Sequence, residues 1–233
     1  MGDTMIDVRP FASLGRFQND WLNARHHFSF GGYHDAGRMG FGAIRVWNDD
    51  QIAPRTGFDP HPHRDMEIIT YVRSGAITHT DNLGNEGRTE AGDVQVMHAG
   101  SGIVHAEYNK EGVETRIFQI WLTPNEAGVA PGWGARSFPA AGAGLKVLAA
   151  GDGREGALPL HADGAVLAGT LAAGQTIRHR LAPGTRAYLV PAEGQVTVNG
   201  VPVGTRDGAA VEDETELSIA SVDGAEVILV ETR

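Results

Sequence analysis

The sequence predicts an all-β protein built from two tandem barrels with few short helices. Short runs rich in β-branched and aromatic residues recur along the chain, and turn-like segments rich in Gly, Asn and Asp separate them. The 32 glycines fit many tight turns and leave little room for long helices. A length of 233 residues is enough for two barrels of about 100 residues each.

The first barrel is predicted within residues 1–130. Residues 11–24 could hold one short helix or turn. Asn48-Asp49-Asp50 is interpreted as a turn, and so are residues 57–60, because Asn, Asp, Gly and Pro favour turns. The β-like runs of this half are residues 43–47, 67–73, 93–97 and 115–122.

The second barrel is predicted within residues 145–233, after a linker at residues 131–144 that is rich in Pro and Gly. Its Asn199-Gly200 pair predicts a type I′ hairpin turn. The two halves resemble each other weakly in the order of their runs and turns, which favours one internal duplication of a barrel unit. The β-like runs here are residues 145–149, 165–171, 187–190, 195–198, 217–220 and 226–230.

The composition excludes several classes of function. A net charge of −10 without a basic cluster argues against direct binding of nucleic acid. The absence of cysteine excludes disulfides, thiolate metal sites and a Cys nucleophile, so any metal must be held by His and carboxylate groups. No signal-peptide pattern and no apolar run of about 20 residues is present. The expectation is a cytoplasmic monomer that binds no membrane.

Two short motifs predict a metal site. A strand points alternate side chains to one face, so His61-Pro62-His63 and His105-Ala106-Glu107 can each direct two ligands to one point. Three imidazoles and one carboxylate would hold a divalent cation. Glu67 is an alternative carboxylate, because it has the same strand parity as His61 and His63. Spacing favours Glu107, since Glu67 lies about 13 Å of extended strand beyond His63.

The same residues resemble a known family. The pattern His61-x-His63-x3-Glu67-x7-Gly75 is similar to the first cupin motif, and Gly102-x2-His105-x3-Asn109 is similar to the end of the second. More narrowly, residues 61–67, residues 100–109 and the segment 27–30 (His-Phe-Ser-Phe) resemble the pirin family, within it the bacterial pirin-like quercetin 2,3-dioxygenases. The resemblance is dense over residues 20–125 and loose elsewhere.

The resemblance implies a bicupin of two jelly-roll barrels, with the metal in the first. In ordinary cupins the acidic ligand is the residue at Glu67, whereas pirin-like proteins use the residue at Glu107. The second barrel offers only Arg178-His179-Arg180 in the matching strand, and no His follows it, so we expect that barrel to hold no metal. One divalent cation per chain is expected, with iron(II) favoured and Mn, Co, Ni, Cu or Zn also compatible with these ligands.

The activity that the resemblance implies is oxidative cleavage of a flavonol such as quercetin by dioxygen, with loss of carbon monoxide. Glu107 would be the base that removes the proton of the substrate 3-hydroxyl. The alternative function is a metal- or redox-sensing protein that binds a transcription or metabolic partner without catalysis; a non-oxidative metal enzyme is a third.

Residues that could contact a flat aromatic substrate are His27, Phe30, Phe58 and Met66. The scattered histidines, His26 and His79 among them, are interpreted as surface or structural residues.

Overall fold

A computed structural model describes residues 5–138, 144–154 and 156–233. These residues form twenty-two strands and one 3₁₀ helix, Phe11–Ser13, so the all-β prediction is confirmed. Within the described part of the chain, no helix is long and apolar enough to cross a membrane.

The described residues fall into two compact units. The first unit lies within Gly15–Pro139 and Leu158–Asp163. Its strands are β2 (Gly15–Gln18), β3 (Leu22–His26), β4 (Ile44–Ile52), β5 (Thr56–His63), β6 (Glu67–Ser74), β7 (Ala76–Asp81), β8 (Glu86–Glu90), β9 (Val94–His98), β10 (Ile103–Asn109), β11 (Thr115–Leu122), β12 (Gly132–Arg136) and β14 (Leu158–Pro159). The strands other than β14 build a large antiparallel sheet in the order β12-β9-β6-β11-β4-β3-β2 and a small one in the order β5-β10-β7-β8.

The second unit lies within Met1–Leu14, Ala140–Ala157 and Gly164–Arg233. Its strands are β1 (Met5–Arg9), β13 (Lys146–Ala150), β15 (Gly164–Leu171), β16 (Thr176–Arg180), β17 (Arg186–Gly194), β18 (Val196–Val198), β19 (Val201–Val203), β20 (Gly208–Glu212), β21 (Glu216–Ala220) and β22 (Ala225–Thr232). The order β1-β20-β17-β22-β15-β13 in one sheet and β16-β21-β18-β19 in the other repeats the strand order of the first unit. This repeat is the arrangement that an internal duplication would produce.

The ends of the two units differ from a simple tandem division. β1 pairs with β20, so the N-terminal strand lies in the second unit. β12 pairs with β9, so part of the segment interpreted as a linker is an edge strand of the first unit. Residues 139–143 of that segment lie outside the described residues. The boundaries at residues 130 and 145 therefore stay a prediction.

Local sequence signals gave two correct and two wrong predictions. The Asn199-Gly200 hairpin is present between β18 and β19, with φ of 47° and 83° as a type I′ turn requires. The short helix expected within residues 11–24 is present as the 3₁₀ helix Phe11–Ser13, with β2 and β3 after it. Asn48-Asp49-Asp50, interpreted as a turn, lies inside β4, where all three residues are buried, and residues 57–60 lie in β5. Pairing with neighbouring strands outweighs the turn preference of these residues.

Candidate metal centre

The edge position of β5 explains how a strand can carry His-Pro-His. Proline has no backbone N–H and is tolerated in a sheet mainly at edges, and β5 is the outer strand of the small sheet. His61 lies directly opposite His105 on β10, whereas Glu107 lies opposite Phe58. β5 thus has one extra residue between the two pairs, which is a β-bulge.

The three predicted histidines converge. Ring centroids are 4.8 Å apart for His61 and His63, 4.6 Å for His61 and His105, and 5.0 Å for His63 and His105. One nitrogen from each ring lies within 4.8 Å of the other two. His105 is buried, and the other two rings are half-buried. Three nitrogens at such separations can bind one cation.

A buried chain of hydrogen bonds fixes which nitrogen of His105 carries a lone pair. Hydrogen bonds from His79 and Asn85 outweigh the effect of burial and hold the pKa of Asp81 below 3.8, so this carboxylate only accepts. His79 therefore donates from Nε2 to Asp81 at 2.9 Å. Burial lowers the pKa of His79, so its ring is neutral and its Nδ1 accepts from Nδ1–H of His105 at 3.3 Å. Nε2 of His105 then carries no proton, and its lone pair can bind a metal.

The cluster fits a divalent cation on this evidence. Nε2 of His105 is buried and has no hydrogen-bond partner among the described residues. Burial, with smaller effects of neighbouring histidines, lowers the pKa of His105 to about 2 and that of His63 to about 4. Both rings are therefore neutral at neutral pH, which is the protonation state that binds a metal. Neutral imidazoles suit Fe, Ni, Cu and Zn.

Glu107 lies in the same interior and is held by three donors. Its Oε1 accepts from Thr70 at 3.1 Å and from Gln95 at 2.6 Å, and its Oε2 accepts from Gln119 at 2.6 Å. Burial raises the pKa of Glu107 to about 7, against the effect of these hydrogen bonds. Glu107 is not in the group of atoms within 4.8 Å of one another. Its roles as ligand and base stay predictions.

Glu67 points away from this interior. It lies three residues before Thr70 on β6, and an odd spacing places two side chains on opposite faces of a strand. Thr70 contacts Glu107, whereas Glu67 accepts from His98 at 2.6 Å and from the backbone N–H of His161 at 3.0 Å. Glu67 is thus a hydrogen-bonded residue on the other face of the sheet.

The donors to Glu107 belong to a row of polar side chains that crosses the large sheet, called here the polar row. Cross-strand partners define it, one residue each from β3, β4, β11, β6 and β9. The row consists of His26, Asn48, Gln119, Thr70 and Gln95. Side chains in register on one face of a sheet are neighbours, so the row forms one connected polar layer. The other ends of its side chains are also used: Gln95 accepts from Thr89, Gln119 from Trp121, and Asn48 bonds His26.

The predicted substrate-contacting residues are only partly brought together. Phe30 and Phe58 line one cavity of about 410 Å³ in the first unit. His27 does not line it; it packs against Trp47 with ring centroids 5.8 Å apart, and His26 lines the cavity instead. Met66 packs in a separate cluster that contains Ile68, Met97, Ala99, Ile103, Trp121 and Trp133.

His26, His79 and Asp81 are the site residues that the sequence interpretation missed. All three side chains are buried, so the interpretation of His26 and His79 as scattered surface or structural residues was too simple. His79-x-Asp81 has the same alternate spacing that identified the ligand motifs, and the sequence signal was therefore present. Trp133, from the segment interpreted as a linker, stacks on His79 with ring centroids 5.0 Å apart.

Comparison with known proteins agrees with this architecture. The pirin family matches residues 7–122, and the quercetinase C-terminal cupin domain matches residues 147–232. A pirin-like protein from Caulobacter vibrioides is 56% identical over 97% of this chain and 99% of its own length. A quercetin 2,3-dioxygenase from Escherichia coli K12 is 40% identical over 97% of each chain.

A solved structure gives the same result. The crystal structure of a bacterial pirin from Escherichia coli in complex with nickel(II) has a TM-score of 0.93 and 39% identity, over 98% of this chain and 99% of that chain. These matches confirm the predicted bicupin architecture. The chain belongs to the pirin family.

Proposed function

We propose that this protein is a metal-dependent dioxygenase that cleaves a flavonol in the manner of a quercetin 2,3-dioxygenase. The observation that carries the proposal is the convergence of three imidazoles in a unit that also contains a cavity lined by aromatic side chains. The Escherichia coli relative named as such an enzyme supports the same reaction class.

The residues that would hold the metal are His61, His63 and His105, with Glu107 as the proposed fourth ligand. One cation per chain is expected, and iron(II) is favoured; the Escherichia coli pirin in complex with nickel(II) supports a divalent metal of this group. A divalent redox metal, when bound, would stabilise the ionised 3-hydroxyl of the flavonol and allow dioxygen to react with the ring.

Glu107 is the group proposed to take the proton from the 3-hydroxyl. Gln119 occupies one lone pair of Oε2, so this oxygen keeps capacity to accept a proton or to bind a cation. A pKa of about 7 in the protein alone, raised by burial, is close to the working pH, where a general base is most effective. Thr70, Gln95 and Gln119 would keep the carboxylate in one orientation throughout.

The reaction balances without an external reductant. Both atoms of one dioxygen enter the ring-opened ester, and one ring carbon leaves as carbon monoxide with its oxygen. The protein therefore needs to bind and orient the flavonol and to exclude bulk water from the reacting ring.

The test is an oxygen-dependence experiment. Protein reconstituted separately with iron, manganese, cobalt, nickel and copper is mixed with quercetin, and the loss of the flavonol absorbance band is followed together with carbon monoxide release. We expect loss of absorbance and equimolar carbon monoxide only when dioxygen is present. Turnover in strictly anaerobic solution, or none with any of these metals, would refute the proposal and favour the metal- or redox-sensing protein.

A further inference from the structure

A cavity of about 410 Å³ lies inside the first unit, within the size range of small-molecule sites. Its walls combine aromatic side chains such as Phe30, Phe58 and Tyr33 with one end of the polar row. Flat aromatic molecules bind well against such walls. The polar groups among them are therefore the candidates for specificity.

The cavity adjoins the metal centre. Gln119 lines the cavity and also donates to Glu107. Phe58 lines the cavity, and its ring centroid is 6.3 Å from that of His61. A ligand in the cavity would therefore have one end near the imidazole cluster and could have its other end at β3 and β4.

Asp50 is the anomalous residue of this cavity. It lies on β4 with its side chain in an otherwise apolar row, between Ala24 on β3 and Ile117 on β11, followed by Val72 on β6. It is 2% exposed, and its Oδ1 is buried without a hydrogen-bond partner among the described residues. A buried carboxyl group without a partner destabilises a fold, so such a group points to a ligand.

The adjacent residue, Asp49, is a buried carboxylate with a structural role. Asp49 is also fully buried, but it faces the other side of the sheet and forms an ion pair with Arg73. Asp50 forms no ion pair among the described residues. Burial, with the charges of Asp49 and Glu107, raises its pKa well above the ordinary value, and the charge of Arg73 offsets this only in part.

His26 provides a second polar group on the cavity wall. His26 donates from Nδ1 to Asn48 at 2.8 Å, and burial lowers the pKa of His26, so the ring is neutral and Nε2 carries a lone pair. The carboxyl group of Asp50 and the ring of His26 thus offer hydrogen-bond acceptors along the cavity wall. Acceptors are satisfied by ligands that donate, and phenolic hydroxyl groups donate.

We propose that Asp50 is a specificity-determining residue that accepts hydrogen bonds from ring hydroxyl groups of the substrate other than the 3-hydroxyl. The inference rests on the proposed function, because it assumes that the substrate is a flavonol. Asp50 would select flavonols with further ring hydroxyl groups over those that carry the 3-hydroxyl alone. Quercetin, 3-hydroxyflavone, which lacks the other hydroxyl groups, and luteolin, which lacks only the 3-hydroxyl, separate these contributions.

The experiment measures binding rather than activity. Zinc-loaded protein is titrated anaerobically with the three compounds, and quenching of tryptophan fluorescence reports binding. In Asp50→Leu we expect quercetin and luteolin to bind roughly 10- to 100-fold more weakly, while 3-hydroxyflavone changes less than about 3-fold. Asp20→Asn removes one exposed acidic group between β2 and β3 and should change none of the three affinities.

Thermal stability separates recognition from a structural role. Asp50→Leu should melt at a higher temperature than the natural protein, because leucine fits the apolar row and removes a buried group without a partner. Unchanged affinity for quercetin and luteolin would overturn the inference, and so would equal weakening for all three compounds together with a lower melting temperature. If the natural protein binds and oxidises quercetin while the selectivity of Asp50→Leu is unchanged, only this inference fails. If the natural protein binds no flavonol, the proposed function fails with it.

Discussion

The two units share one strand order but fill the interior of the large sheet with opposite kinds of side chain. In the first unit, the polar row crosses β3, β4, β11, β6 and β9. The corresponding strands of the second unit are β13, β15, β22, β17 and β20. The row of cross-strand partners there consists of Val147, Leu167, Leu229, Leu189 and Ala209. All five are apolar and pack in or against one core cluster.

The difference shows that strand order does not dictate what a barrel interior does. The second unit contributes a continuous apolar core, which stabilises through burial. The first unit replaces part of that core with polar side chains that bond Glu107, one another, or neighbours such as Thr89 and Trp121, and a hydrogen-bonded network of this kind fixes the orientation of its members. The same sheet can therefore support either stability or a site.

The largest expected effect of this difference is on metal content. His105→Ala, or His63→Ala, should reduce bound metal from one ion per chain to none by elemental analysis, while the β circular-dichroism signature persists. The matched variant in the second unit is His179→Ala, since β16 occupies the place of β5. That variant should keep its metal. Full retention of metal by His105→Ala would refute the site, and loss from His179→Ala would contradict the assignment to the first unit.

The next effect is on stability. Leu229 is fully buried in the apolar row, and Leu229→Ala should lower the free energy of unfolding by about 2–5 kcal/mol in urea denaturation, because it leaves a cavity. Leu229→Met conserves volume and should cost less than about 1.5 kcal/mol. Both variants should bind one metal ion in the folded state. Loss of metal in parallel with stability would show that the two roles are not separated.

A third prediction concerns the chain from Asp81 through His79 to His105. Asp81→Asn can place an amide N–H against Nε2 of His79, which favours the other tautomer of His79 and hence a protonated Nε2 on His105. Metal affinity should fall about 10- to 100-fold, as measured by competition with a chromophoric chelator. Asn85→Ala removes a different donor to Asp81 and should leave the affinity within about 3-fold. Equal losses in both variants would refute the tautomer argument.

The comparison also explains what the sequence can predict. Alternation within one strand identified His61, His63 and His105, since each motif is local and the fold places both motifs in adjacent strands. Spacing favoured Glu107 over Glu67 as the carboxylate ligand, but the position of Glu67 on the other face of the sheet from Thr70 follows from contacts that no local pattern contains. Asn48 and Asp50 were assigned to a turn because polar residues in a buried central strand have the composition of a turn.

The polar row itself lies beyond sequence analysis of one chain. Gln95, Gln119 and Asn48 come from different strands and have no fixed spacing along the sequence. Their contact depends on the register of three strand pairs, and a shift of one residue in any pair would turn a side chain to the other face.

The smallest expected effect tests a polar exception in the second unit. Glu231 accepts from His179 at 2.6 Å and from Arg154 at 2.9 Å. Burial raises the pKa of Glu231, but these hydrogen bonds outweigh it and hold the pKa below 4.5. A lowered pKa in the folded state means that the ionised group stabilises the fold above pH 4.5, and that this contribution disappears as the pH falls through the lowered value. Since the side chain of Arg154 is 38% exposed, solvent screens the pair, and Glu231→Gln should lower the free energy of unfolding at pH 7 by only about 1 kcal/mol.

The pH dependence distinguishes this ion-pair cluster from simple packing. Urea denaturation of Glu231→Gln and the natural protein should give curves that differ at pH 7 and converge once the pH has fallen below the lowered pKa of Glu231, whereas exposed Asp223→Asn should match the natural protein throughout. A difference that does not shrink as the pH falls would mean that the volume and packing of Glu231 matter, not its charge. In that case Glu231 would stabilise the second unit by packing, as its apolar core residues do. Convergence would instead show that the second unit also contains a charged group held by specific donors, but one that stabilises the fold and faces no ligand site.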